Sequence, residues 1–214
     1  MKIENIRVEV LKKLGTVPNK FITKNTVNNV VIEEKGENAT LQKVIIHNIP
    51  NNFDVWLLDF ELPISGFTPK SKTVEKVIVT LIDNNLTFYM IELKSSIKHY
   101  LPQERKPSSL NQIHGKFEES ISRILFLLTF DNHHDWNKFK ELQVKFKGIV
   151  FYNKRIQSEK DEETRLCQII NSSKKAGLIE CASTFLGSNK IEVKFIQNTV
   201  DKSVLDVEFN NIIC

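Results

Sequence analysis

With 214 residues, 41% of them hydrophobic and 26% charged, the chain can bury one sizeable core, and its composition excludes wholesale disorder. The charged opening MKIENIRVEVLKK and a longest strongly apolar run of only ILFLL (124–128) supply no bilayer-spanning segment, so a soluble cytoplasmic protein without membrane attachment is expected. A net charge of +4 permits a polyanionic partner, and with only five arginines among 30 basic residues, lysine contacts to phosphate are favoured over guanidinium reading of base edges.

Ile3, Ile6, Val10, Leu11 and Leu14 recur at helical spacing and are followed by Gly15 and Pro18, which predicts a short amphipathic N-terminal helix. From about 20 to 62, NVVIEE, KVIIHNI and DVWLLDFEL are separated by KGEN and PNN turns and predict antiparallel strands. PISGFTPKSK (63–72) reads as an exposed connection. VEKVIVTLI and LTFYMIELK, joined across DNN, predict a β-hairpin. A helix is expected from about 109 to 130, with Ile113, Phe117, Ile121, Ile124, Leu125 and Leu128 as its apolar stripe. KGIVFYN (147–153) predicts the next strand, Ser158 can cap a helix beginning EKDEETRLCQII, and IEVKFI and VLDVEF predict two more strands. This order gives an α/β (α+β) fold with a central mixed β-sheet flanked by helices. With no long linker, 1–214 is expected to be one domain, its core at about 55–153 and a helix-plus-strands extension at about 154–214.

The hairpin carries the chemistry. Alternation puts Phe88, Met90, Glu92 and Lys94 on one strand face and Tyr89, Ile91 and Leu93 on the other. Both faces are apolar up to Glu92, as in a strand covered on both sides, and an unpaired carboxylate there would cost on the order of several kcal/mol. With Asn84 and Asn85 as the loop, Val77 pairs with Glu92 and Glu75 with Lys94, so Glu75 lies diagonal to Glu92 on the same face. A three-residue loop would send Glu75 to the opposite face. Two carboxylates beside an ammonium are either a cross-strand ion pair or oxygen ligands for a hard divalent cation, with the lysine aimed at a water or a phosphoryl oxygen.

An acid on one strand, a turn, then E-x-K on the next strand and a helix packed over the sheet resembles the PD-(D/E)xK nuclease superfamily. In TVEKVIV, Glu75 stands where that family usually has aspartate; in IELKSS, Glu92 and Lys94 match the E-x-K, small polar residues following. Gln112 in SLNQIHGKF matches a glutamine that some members carry early in the following helix. The Pro-Asp that names the family is replaced by Val74-Glu75. The resemblance implies a restriction-endonuclease-like core and a Mg2+- or Mn2+-dependent phosphodiester hydrolase. In it Glu75 and Glu92 hold the metal, and Glu75, Glu92, Lys94 and Gln112 form the catalytic set. DNA is implied over RNA as substrate, with restriction, repair, recombination or defence as context and a homodimer or larger complex as assembly. A nuclease fold retained as a nucleic-acid-binding or assembly subunit without catalysis is the alternative.

Other residues read more plainly. Asp59 and Glu61 are rival acids, though exposed alternation explains them as well. His133 and His134 belong to a loop, and His47 and His114 read as partly buried or edge histidines rather than ligands. Cys167, Cys181 and Cys214 have neither disulfide-framework nor zinc spacing. No nucleophile elbow, P-loop or GxGxxG occurs. The lysine-rich segments PKSKTVEK, KHYLPQERK and KPSSLNQIHGK are the candidates for tracking a phosphate backbone.

Overall fold

Two kinds of strand distinguish themselves by burial. The computed structural model describes residues 22–34, 36, 39–50, 54–59, 73–82, 85–97, 109–129, 143–153, 178–180, 190–200 and 202–213. Strands β5 (Lys76–Ile82) and β6 (Asn85–Lys94) are buried almost without interruption, whereas β2 (Val30–Glu33) and β3 (Lys43–His47) alternate between buried and more open positions. The first kind is covered on both faces and the second on one.

The central sheet has seven strands in the order β1-β4-β5-β6-β7-β9-β8, adding β1 (Ile22–Lys24), β4 (Asp54–Leu58), β7 (Gln143–Asn153), β8 (Leu178–Glu180) and β9 (Lys190–Asn198). β6, β7 and β9 run parallel and the remaining pairs antiparallel, which makes the sheet mixed. A parallel neighbour requires a crossover, and helix α1 (Ser109–Thr129) lies between β6 and β7 in the chain. Its buried residues Ile113, Phe117, Ile121 and Ile124 pack with Val77, Val79, Phe88, Met90 and Val150. Phe88 and Phe146, paired across β6 and β7, stack at 5.2 Å between ring centroids.

The opposite face is covered by a second sheet in the order β10-β3-β2, with β10 (Val204–Glu208) parallel and β2 antiparallel to β3. Val30, Ile32, Val44, Ile46 and Val207 on this sheet, and Ile212 of the short helix α2 (Asn210–Ile213), meet Ile78, Tyr89, Ile91, Leu93 and Phe151 of the central sheet. The molecule is thus an α/β fold with a central mixed sheet flanked by helices, as its sequence predicts, with the small sheet as an added layer.

Several expectations are corrected. The segments between 20 and 62 do not form one antiparallel sheet: β1 and β4 join the central sheet, while β2 and β3 join the second. The strand expected at 147–153 begins at Gln143. The hairpin register also differs, because Ile82 pairs with Asn85 and Val77 with Met90, so Asn85 belongs to the second strand and not to the loop. The shift is by two residues, which preserves the face of every side chain. The expected helices at 3–14 and after Ser158 lie outside the described residues. None of the described helices is long and apolar enough to cross a membrane.

Candidate functional site

Glu75 immediately precedes β5, and continuing the observed register past Lys76 and Ile91 sets it opposite Glu92. Glu92 shares the α1-facing side of β6 with Phe88 and Met90 and is 0% exposed. Lys94, two residues on, closes the strand with its Nζ 2.6 Å from Glu92 Oε1. The E-x-K alternation therefore brings both charged groups to one side of the strand.

The group that joins the two carboxylates comes from the helix. Lys116 Nζ lies 2.8 Å from Glu75 Oε1 and donates to it, and it also donates to Glu92 Oε2 at 2.9 Å. It stands 2.8 Å from Glu92 Oε1 as well. Two ammoniums thus lie within ion-pair distance of this fully buried oxygen. Lys116 and Glu75 are themselves nearly enclosed, their side chains 16% and 9% exposed. Such enclosure makes each charge dependent on its neighbours.

A row of polar residues beside the apolar stripe of α1 positions that ammonium. Gln112, Lys116 and Ser120 are each one turn apart and so share a side of the helix. Ser120 is fully buried; its Oγ donates to the Lys116 carbonyl at 2.8 Å and accepts the Val74 N–H at 3.1 Å. One hydroxyl thus ties the residue before Glu75 to the turn of helix that carries Lys116. Both ends of the Glu75–Lys116 contact are fixed by the same buried group.

Burial pushes the Glu75 carboxyl up from 4.5 to about 7, against the pull of Lys116, and the charge of Glu92 adds to the rise. Lys116 is affected the other way: burial alone would lower it, yet Glu92 and Glu75 together hold its pKa above the ordinary 10.5. A proton is therefore held firmly on Lys116 while Glu75 sits near its own midpoint at neutral pH.

The remaining sequence candidates are placed elsewhere. Gln112 is half-buried one turn before Lys116. Asp59 bonds Lys76 at 3.0 Å, and Lys76 neighbours Glu75 in the strand and so projects from the opposite face. His47 contacts Asp206 at 2.7 Å on the second sheet, and His114 lies 3.8 Å from Glu118 on α1. Glu61, His133, His134 and most of the lysine-rich segments lie outside the described residues. Sequence reasoning missed Lys116; the available signal was a lysine between Ile113 and Phe117, at the margin of a buried stripe.

Among the described residues no group of three or more His, Cys, Asp or Glu side chains could enclose a metal ion. Two carboxylates that converge on one point nevertheless fit the modest demand of Mg2+ or Mn2+. Such an ion commonly takes one or two protein carboxylates and completes its shell with water and phosphate oxygens. The all-oxygen set does not suit a thiolate-seeking metal. No family model, no curated protein and no solved structure matches the chain.

Proposed function

We propose that the chain is a metal-dependent nuclease of the PD-(D/E)xK kind, hydrolysing phosphodiester bonds in nucleic acid, DNA before RNA. The observation that carries this reading is the enclosed pair of facing acids: Glu92, fully buried, opposite Glu75 at the end of a hairpin strand, with Lys94 beside it. Two carboxylates buried face to face call for a cation between them or a shared proton, and a divalent ion meets that need with ligating oxygens already in place.

Glu75 and Glu92 would hold Mg2+ or Mn2+, which supplies charge for a developing phosphoryl oxyanion and lowers the pKa of a bound water. Lys94 keeps its own contact with Glu92 and is less enclosed, with 19% of its side chain exposed. It can orient the attacking water or donate to a phosphate oxygen. Gln112, at the start of the same helical row, would line the approach for substrate.

The presence of Lys116 between the acids favours a second reading, in which the nuclease fold is kept for binding and an ammonium permanently neutralises the pair. Cleavage of single- and double-stranded DNA and RNA, with Mg2+ or Mn2+ titrated, separates the two. The nuclease reading expects metal-dependent cleavage by the wild type and a loss of at least about 100-fold in Lys94→Ala and Glu92→Ala, the scale of removing an acid–base or electrostatic group. Binding to nucleic acid without cleavage in either metal supports the second reading.

A further inference from the structure

Lys116 meets both acids, yet it is not needed to keep Glu92 next to a cation, because Lys94 already stands 2.6 Å from Glu92 Oε1. The site therefore contains one ammonium fixed at the strand end and a second that bridges the acids from across the interface with α1. We infer that Lys116 is a built-in counter-ion which gives up its place between Glu75 and Glu92 when a divalent cation binds. This inference rests on the nuclease reading, and it assigns to that site a resting state and a loaded state.

Three observations lead there. First, the Lys116 nitrogen is shared between Glu75 Oε1 and both oxygens of Glu92, so it holds the point on which a cation ligated by both acids would also converge. Second, Glu92 is fully buried and Lys94 stands 2.6 Å from its Oε1, so that oxygen keeps a cation beside it when Lys116 withdraws. Third, the exchange is chemically asymmetric. A lysine is a point charge on a flexible four-carbon stem, so its head can withdraw along the helix while its backbone stays anchored. The anchor here is the Ser120 hydroxyl on the Lys116 carbonyl.

Charge gives the exchange a consequence for substrate. With both acids ionised, two carboxylates with Lys94 and Lys116 form a neutral set. Replacing the Lys116 ammonium by a divalent cation leaves one net positive charge, the sign that attracts a phosphodiester. The released ammonium can then meet a backbone phosphate near the mouth of the site. In the resting state the same lysine removes the repulsion between facing acids and lets the fold persist without metal.

The test is Mn2+ binding to the full chain by calorimetry, paired with the melting temperature with and without Mn2+, for wild type, Lys116→Met, Lys116→Arg and Glu92→Gln. Displacement implies that only the fraction of molecules with Lys116 withdrawn is binding-competent. If that fraction is about a tenth, Lys116→Met binds Mn2+ about tenfold more tightly. Mn2+ should also raise its melting temperature more than that of the wild type. Lys116→Arg, whose planar fork can hold a carboxylate in two bonds, should bind Mn2+ more weakly than the wild type, and this comparison survives should the Met variant not fold. Glu92→Gln should abolish binding. Mn2+ binding to the wild type that Glu92→Gln abolishes, but that is not tightened by Met or weakened by Arg, overturns the displacement while leaving the nuclease reading intact. Absence of Mn2+ binding to every protein at millimolar concentration overturns both.

Discussion

At the scale of single residues, Glu75 is the group whose protonation should be visible in stability. Its folded pKa is raised from 4.5 to about 7, so between those values the folded state binds more protons than the unfolded state. Stability contributed through Glu75 must then fall as pH rises across that window, with a limiting slope of about 1.4 kcal/mol per pH unit. Lys116 acts elsewhere: its folded pKa is raised above 10.5, so its contribution is complete below that value and is lost only as pH climbs through the folded pKa. Urea unfolding of wild type and Glu75→Gln at pH 5 and pH 7.5 isolates the acid. The wild type's stability relative to the variant should decrease at the higher pH. A relative stability that grows with pH would mean that Glu75 is an ordinary ion-paired carboxylate with a depressed pKa. That Glu75 and Glu92 share a face was readable from strand parity alone, since a register slip by two leaves parity unchanged, whereas their direct opposition depends on the register itself. Lys116 was not readable in that way, because the rotation of a helix over a sheet is set by packing between residues far apart in sequence.

Among elements, the position of α1 is decided by a glycine on the strand beneath it. A methyl group at Gly148 would lie 2.6 Å and 2.8 Å from Phe117 Cε2 and Cζ and 2.9 Å from Val193 Cγ2, all closer than carbon atoms approach. Gly148 is therefore the hollow into which Phe117 fits, and Phe117 is the immediate neighbour of Lys116. Gly148→Ala should cost about 1–3 kcal/mol by overpacking, read as a lowered urea midpoint. Because the added methyl group and the Phe117 ring compete for one space, Phe117→Leu should be less damaging in the Gly148→Ala background than alone. Strict additivity of the two substitutions would show that the ring does not occupy the hollow. The helix itself was legible from its stripe, and its observed span of Ser109–Thr129 nearly matches the expected 109–130. The second sheet was less legible, although its signal was present in hindsight. Val30 and Ile32 are buried while Val31 and Glu33 are exposed, an alternation that marks a strand with one solvated face, unlike the two-sided β6.

The whole molecule is held together by what crosses between its layers. The second sheet consists of three strands of four or five residues, and its inner face is buried against the central sheet together with Leu41, Ile49, Phe209 and Ile212. A sheet this small has little stability of its own. A polar chain adds to the apolar interface. Fully buried Asn198 donates to Asn153 Oδ1 at 2.8 Å and to the Lys202 carbonyl at 2.7 Å, while Asn153 donates to Thr40 Oγ1 at 2.9 Å. The Thr40 N–H in turn donates to the hydroxyl of Ser95, the residue after Lys94, at 2.9 Å. The ends of parallel strands β6, β7 and β9 are thereby linked to the connections leading into β3 and β10. Both sheets should consequently unfold in one transition. Replacing Asn198 by Ala strips partners from Asn153 and from the Lys202 carbonyl, and a buried polar group left unsatisfied costs about 1–3 kcal/mol. Native-state hydrogen exchange, followed at amides of β3 and β6, should therefore give one shared opening free energy in the wild type and a common decrease in Asn198→Ala. If β3 opens at a much lower free energy than β6 in the wild type, the second sheet is a separable layer and the buried amide chain does not couple it to the strands that carry Glu92 and Lys94.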